Sequence, residues 1–181
     1  ELVRDATAFG LKTIETLLDS EPEHRGLLLA AARGFTQYAY AFVQQEADFV
    51  EDDNYTRAAH LRVRAKKLYV RALRYGLRGL EVAHPGFGAA LRADGKAAVA
   101  GLGEADVPTA YWTAVAWAAA VALDKDDVEL AADLDKAGLL IERAVALDSG
   151  WGEGQLHDFL VAWDGGRPEA GGGSPARAKV H

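Results

Sequence analysis

The sequence predicts an all-α protein in a single domain, and three features carry that prediction. Apolar residues recur at spacings of three and four almost throughout, the period of one helix face, and no segment alternates as a half-buried strand would. Within the stretch Asp106 to Leu123, DVPTAYWTAVAWAAAVAL, the run from Ala110 is apolar on every side, with Thr113 interrupting an otherwise aliphatic and aromatic series. A chain of 181 residues that is 50% hydrophobic can bury one sound core, whereas two domains would each have a poor one.

The apolar stretch is the central element. A membrane span needs about 20 strongly apolar residues, and this run is shorter, alanine-rich and entered through Pro108. A helix without a wettable face then belongs inside a bundle. Asp106 is placed as its N-cap acceptor and Pro108 in its first turn. Trp112 and Trp117 lie about 140° apart around a helix and cannot face one neighbour. Trp117, deeper in the alanines, is assigned to the core, and Trp112 beside Tyr111 to a binding surface.

The other elements follow in order. Leu2, Ala6, Phe9, Thr13 and Leu17, with Leu11, Ile14 and Leu18 beside them, give a first amphipathic helix that stops near Ser20, before Pro22. A second helix runs from Glu23 with Leu28, Ala31, Phe35, Tyr38 and Phe42 inward, and Glu46 to Asp53 is its solvated acidic end. The third, Asn54 to Ala83, has Leu61, Ala65, Leu68, Ala72, Tyr75 and Gly76 on one side. Arg57, Arg64, Arg71 and Arg78 recur on another at heptad spacing, flanked by Lys67 and Arg74. His84-Pro85-Gly86 ends it, and two short helices separated by Asp94-Gly95 lead to the central run. Asp126 to Leu147 is helical with a break near Asp133 to Asp135. Glycines 150, 152 and 154 make a turn, and Leu156, Phe159, Leu160 and Trp163 stripe a short helix. Gly165 to Gly173 is a flexible joint, and Ser174-Pro175 opens a last helix. Two faint repeat signals sit in this series. Ala65, Tyr69 and Ala72, and again Ala137, Ile141 and Ala144, keep the spacing of the second helix of a tetratricopeptide repeat. Paired small residues also suit an ordinary bundle.

Composition narrows the function classes. With 27 acidic and 20 basic residues the net charge is -7, which argues against general nucleic-acid binding. There is no cysteine, hence no disulfide, thiolate metal site or cysteine nucleophile. No histidine pair has metal-ligand spacing, and no serine sits in a recognisable nucleophile motif. The glycines of Gly150 to Gly154 lack the preceding strand of a dinucleotide site. Asp124, Asp126 and Asp127 lack the spacing of a calcium loop. No metal and no cofactor is expected, and catalysis has no support. His157 beside Asp158 points differently from its neighbour on a helix, so it is assigned a structural or surface role. The arginine ridge on an acidic protein is either a surface for an anionic ligand or acidic partner, or a solvated face paired with carboxylates of Glu46 to Asp53.

Four ordered blocks carry a resemblance: RAKKLYVRALRYGLRGLE (Arg64 to Glu81), AYWTAVAW (Ala110 to Trp117), ERAVALDSGWGEGQLHDFL (Glu142 to Leu160) and GGSPARAKVH (Gly172 to His181). Together they resemble the T-component family (TatT) of tripartite ATP-independent periplasmic (TRAP) transporters, across nearly the whole chain. The resemblance implies antiparallel helix pairs forming a degenerate tetratricopeptide-like repeat domain over residues 1–181, and a further C-terminal segment of the family lies beyond the last block. It implies a periplasmic, lipid-anchored accessory protein acting with the solute-binding subunit, not an enzyme. Membrane attachment would run only through an N-terminal lipid anchor whose cysteine this sequence lacks. The residues assigned to partner or ligand contact are Arg64, Tyr69, Arg71, Tyr75, Tyr111, Trp112 and His157. A small apolar or organic-acid ligand and a homo-oligomer are compatible with this reading. A general repeat scaffold for a peptide or helix is its rival, and a hydrolase a distant third.

Overall fold

The computed structural model describes residues 1–167 and 172–181. Every regular element among them is helical: α1 (Leu2–Ser20), α2 (Arg25–Ala39), a π turn (Tyr40–Gln44), α3 (Gln45–Val50), α4 (Tyr55–Ala83), α5 (Phe87–Ala93), α6 (Gly95–Ala100), α7 (Val107–Leu123), α8 (Val128–Ala132), α9 (Asp135–Leu147), α10 (Gln155–Gly165) and α11 (Pro175–Ala178). The joint expected over Gly165 to Gly173 lies partly outside the described residues.

Local chemistry sets the helix starts. An N-cap side chain satisfies an amide that the first turn leaves unpaired. Asn54 Oδ1 accepts from Arg57 N at 2.9 Å, Asp94 Oδ1 from Ala97 N at 3.1 Å, Asp127 Oδ1 from Leu130 N at 3.1 Å and Ser174 Oγ from Arg177 N at 3.2 Å. The corner after α4 needs Gly86, whose φ of 88° is left-handed. Glu81 closes that corner by accepting from Gly86 N at 2.6 Å and Gly88 N at 2.8 Å.

The helices pack in antiparallel pairs around α7, which is covered by α4, α2 and α9. Ala110, Ala114, Ala116 and Ala120 of α7 are buried, so neighbouring backbones come close. Trp117 is 6% exposed, and its indole N–H donates to Leu130 O at 3.3 Å. Ala65, Tyr69 and Ala72 of α4, and Ala137, Ile141 and Ala144 of α9, are all buried, an arrangement compatible with degenerate tetratricopeptide-like repeats.

Three expectations change. The π turn adds a residue to one turn of helix, so the inward row continues through Val43 and Ala47 while Phe42 is only partly buried. On α1 the inward residues are Leu11, Ile14 and Leu18, and the row through Leu2, Phe9 and Leu17 is outside, with Phe9 75% exposed. The buried face is chosen by fit: Leu11 reaches Gly34 so closely that a Cβ there would meet its Cδ2 at 2.6 Å.

Asp106 does stand at the N-cap position of α7, but its side chain is not the cap acceptor expected, since it takes no hydrogen bond from that helix. It is 3% exposed and turns back, accepting from Gly103 N at 3.0 Å and pairing with Arg25 at 2.7 Å and His84 Nε2 at 2.7 Å. Burial pushes its carboxyl up, but the Gly103 amide, His84 and Arg25 outweigh this and hold it below the usual aspartate range. A carboxyl depressed in the folded state contributes stability above the unfolded pKa of about 3.9 and loses it as pH falls through the folded value. Asp106→Asn is therefore expected to lower stability at neutral pH and to flatten its fall under acid, as read by urea titrations between about pH 7 and pH 2. An acid limb identical to wild type would remove Asp106 from the node.

Candidate functional surface

Two exposed features stand out. The first is a groove of about 700 Å³ along the outer face of α4, lined by Val63, Lys66, Lys67, Val70, Arg71, Arg74, Tyr75, Arg78 and Asp124. These positions fall at helical spacing, so one face of one helix supplies nearly the whole lining. Val63 and Val70 make an apolar floor, and the cations stand over it on long aliphatic stems.

Both walls are held by ion pairs. On the α1 side Glu15 accepts from Tyr75 OH at 2.8 Å and pairs with Arg71 at 2.5 Å. Arg71 lies 5.0 Å from the Phe35 ring, which stacks on Tyr75 at 5.9 Å. Burial pushes the Glu15 carboxyl up, and Tyr75, Lys12 and Arg71 more than offset it, so its acidity is increased. On the other side Lys66 binds Asp124 at 2.6 Å and Asp127 at 2.7 Å.

The heptad arginine row is thus not one surface. Arg57 pairs with Glu46 at 2.5 Å, within the carboxylates expected to be a solvated end, and Glu46 also holds Arg4 at 2.9 Å. Arg71 is tied to Glu15. Arg64 is exposed beside the groove without lining it. Lys67, Arg74 and Arg78 are exposed, line the groove and have no ion-pair partner among the described residues.

The second feature is aromatic. Tyr111 meets Trp112 edge-on at 5.1 Å and Trp151 at 5.0 Å, and Arg33 lies 5.8 Å from the Trp112 ring. All three rings are partly buried. Trp112 and Trp117 do face different neighbours, since Trp117 is enclosed and Trp112 is at the surface.

The remaining assignments separate. Tyr69 is 2% exposed, donates its O–H to Gln44 Oε1 at 2.7 Å, and is out of a partner's reach. Tyr75 lines the groove. His157 is partly exposed and lies against His181, with Nδ1 atoms 3.2 Å apart. Among the described residues no group of three or more acidic or histidine side chains is arranged to hold a metal ion. None of their helices is long and apolar enough to cross a membrane. Sequence reasoning missed Val63 and Val70 as a groove floor, and Arg33 and Trp151 as members of the aromatic patch. The valines had a signal in their heptad spacing. Arg33 had none, because it is far from Trp112 in sequence.

Comparison with known sequences then decides the family. The sequence matches the family described as TRAP transporter T-component over residues 1–181. The chain belongs to that family. It is also 33% identical over 182 residues to a protein of Treponema pallidum (strain Nichols) described as "Uncharacterized protein". That match covers 98% of this chain and 56% of the relative, so the chain spans a little over half of the relative's length.

Proposed function

We propose that this T component is a non-enzymatic accessory subunit that docks the extracytoplasmic solute-binding subunit of a TRAP transporter. It does so in the periplasm, with membrane attachment through an N-terminal lipid anchor. The observation that carries the reading is the set of cations Lys67, Arg74 and Arg78, which have no ion pair among the described residues, over the apolar groove floor of a protein whose net charge is -7. Such a patch selects an acidic complementary surface and speeds encounter with it. Arg64 adds charge beside it.

Charge reversal is the test. Lys67→Glu with Arg74→Glu is expected to weaken binding to the solute-binding subunit by about tenfold or more at low ionic strength. The deficit should shrink as salt rises and the Debye length falls to about 8 Å. Neither residue holds an ion pair among the described residues, so the helical signal should be unchanged. Unaltered binding would exclude the groove from the interface.

The aromatic patch of Tyr111, Trp112 and Trp151, with Arg33 at its edge and His157 on the neighbouring α10, is the proposed contact for a small apolar or organic-acid ligand. Aromatic faces supply the apolar contact and Arg33 the charge. The floor valines of the groove also suit an acidic amphipathic segment, the feature favouring a peptide-binding scaffold. Capture of a solute-binding subunit in preference to isolated acidic peptides separates the two.

A further inference from the structure

His157 and His181 are 24 residues apart, a separation that no spacing rule for metal ligands anticipates, yet the fold sets their Nδ1 atoms 3.2 Å from each other. The rings are tilted by 39°, with centroids 5.4 Å apart. Two segments running antiparallel place this contact. Two turns beyond His157 on α10, Asp164 is 3% exposed and accepts from Arg177 Nη2 at 2.7 Å and Nε at 3.2 Å, a two-armed charged contact. The Asp164 carbonyl also accepts from Ser174 N at 2.9 Å. Arg177 stands a few residues before His181. The arginine fork and the histidine pair are thus successive rungs between the same two segments, and the packing sets the ring separation before any ligand arrives.

We propose that His157 and His181 form a binding site for a divalent transition-metal ion, with both Nδ1 atoms as ligands. Imidazole nitrogens sit about 2.0–2.1 Å from zinc, so two of them on one tetrahedral ion stand about 3.3–3.4 Å apart. The observed 3.2 Å is close to that spacing. Without an ion, one ring donates from Nδ1 to the other; with it, that ring takes its Nε2–H tautomer and both Nδ1 lone pairs turn to the metal. One ring is partly exposed and the other exposed, which leaves them room to turn. Among the described residues no third acidic or histidine side chain joins them. Water or the carboxylate of a small ligand then completes the shell, as in an open site. Two imidazoles without a carboxylate select copper, nickel and zinc over magnesium and calcium, which take oxygen ligands, and copper binds tightest. With half the ligands of a structural zinc site, the dissociation constant for zinc is about 1–100 µM. Neither histidine lines the α4 groove, so this site stands or falls independently of the docking reading.

Calorimetric titration of the whole chain with ZnCl2 or CuCl2, in a buffer that does not bind metal, should show one ion per chain, with copper the tighter, while MgCl2 gives no saturable heat. His157→Gln and His181→Gln should each weaken zinc binding by about tenfold or more. His60→Gln, on α4, should leave it unchanged. Neither ring of the pair belongs to the buried core, so both variants should keep the helical signal. Saturating ZnCl2 should also raise the urea midpoint of the wild-type chain and of neither variant, because an ion that binds the folded chain stabilises it. No saturable binding below about 1 mM, half an ion per chain, or an affinity unchanged in both histidine variants would each overturn the proposal.

Discussion

Trp117→Ala is expected to cost about 3–5 kcal/mol, the usual cost of cutting a fully packed tryptophan, and thereby to remove a large share of the about 5–15 kcal/mol that holds a domain together. Its side chain is enclosed at 6% exposure, and deletion also strands Leu130 O, which accepts its indole N–H. Trp112→Ala is expected to cost about 1–2 kcal/mol, because it removes one edge-on aromatic contact and one cation contact at a surface. Denaturant titrations of the two variants, beside binding to the solute-binding subunit or an apolar probe, separate the roles. If Trp112→Ala destabilises as much as Trp117→Ala and leaves binding per folded molecule unchanged, Trp112 is core and the aromatic patch is not a binding surface.

The second large effect reverses an ordinary sign. Replacing a glycine in a helix by alanine stabilises by about 1 kcal/mol when the new methyl has room. At Gly76 it has none: a Cβ there would stand 2.2 Å from Thr113 Oγ1 and 3.0 Å from its Cβ, with the Thr113 backbone 3.2 Å away. Gly76→Ala must therefore push α4 from α7 at a point where the two helices are closely packed, at an expected cost of about 1–3 kcal/mol. Thr113→Ala should recover part of that loss and no more, since the Thr113 backbone still crowds the new methyl, and the pair should be markedly non-additive. Gly10→Ala is the control, with open space around it. It should raise stability while Gly76→Ala lowers it. Equal signs for the two would mean that the α4–α7 approach is looser than described.

Periodicity made most of the fold legible. It located α4 to within a residue of its ends, the break between α8 and α9, and the short pair α5 and α6, because caps, glycines and apolar spacing are local signals that each helix carries whatever packs on it. The same signals gave the arginine row, and with it a basic face on an acidic protein. They could not divide that row. Whether Arg57, Arg64 and Arg71 are spent internally or offered outward depends on Glu46 and Glu15, which reach α4 from other helices.

What the sequence by itself determined is therefore the helical class, the buried position of α7 and the family, all of which rest on spacing and on ordered residue blocks. The tertiary structure alone decided three further matters. It buried the Leu11, Ile14, Leu18 face of α1 and left Phe9 outside, because only that face finds Gly34 to nest against. It took Asp106 from a cap to a node with Arg25 and His84. It left Lys67, Arg74 and Arg78 as the groove cations without an ion pair among the described residues. In each case the reason is the same: a helical pattern names the faces a helix has, and only the neighbour that docks on it selects which face is covered and which charge is matched.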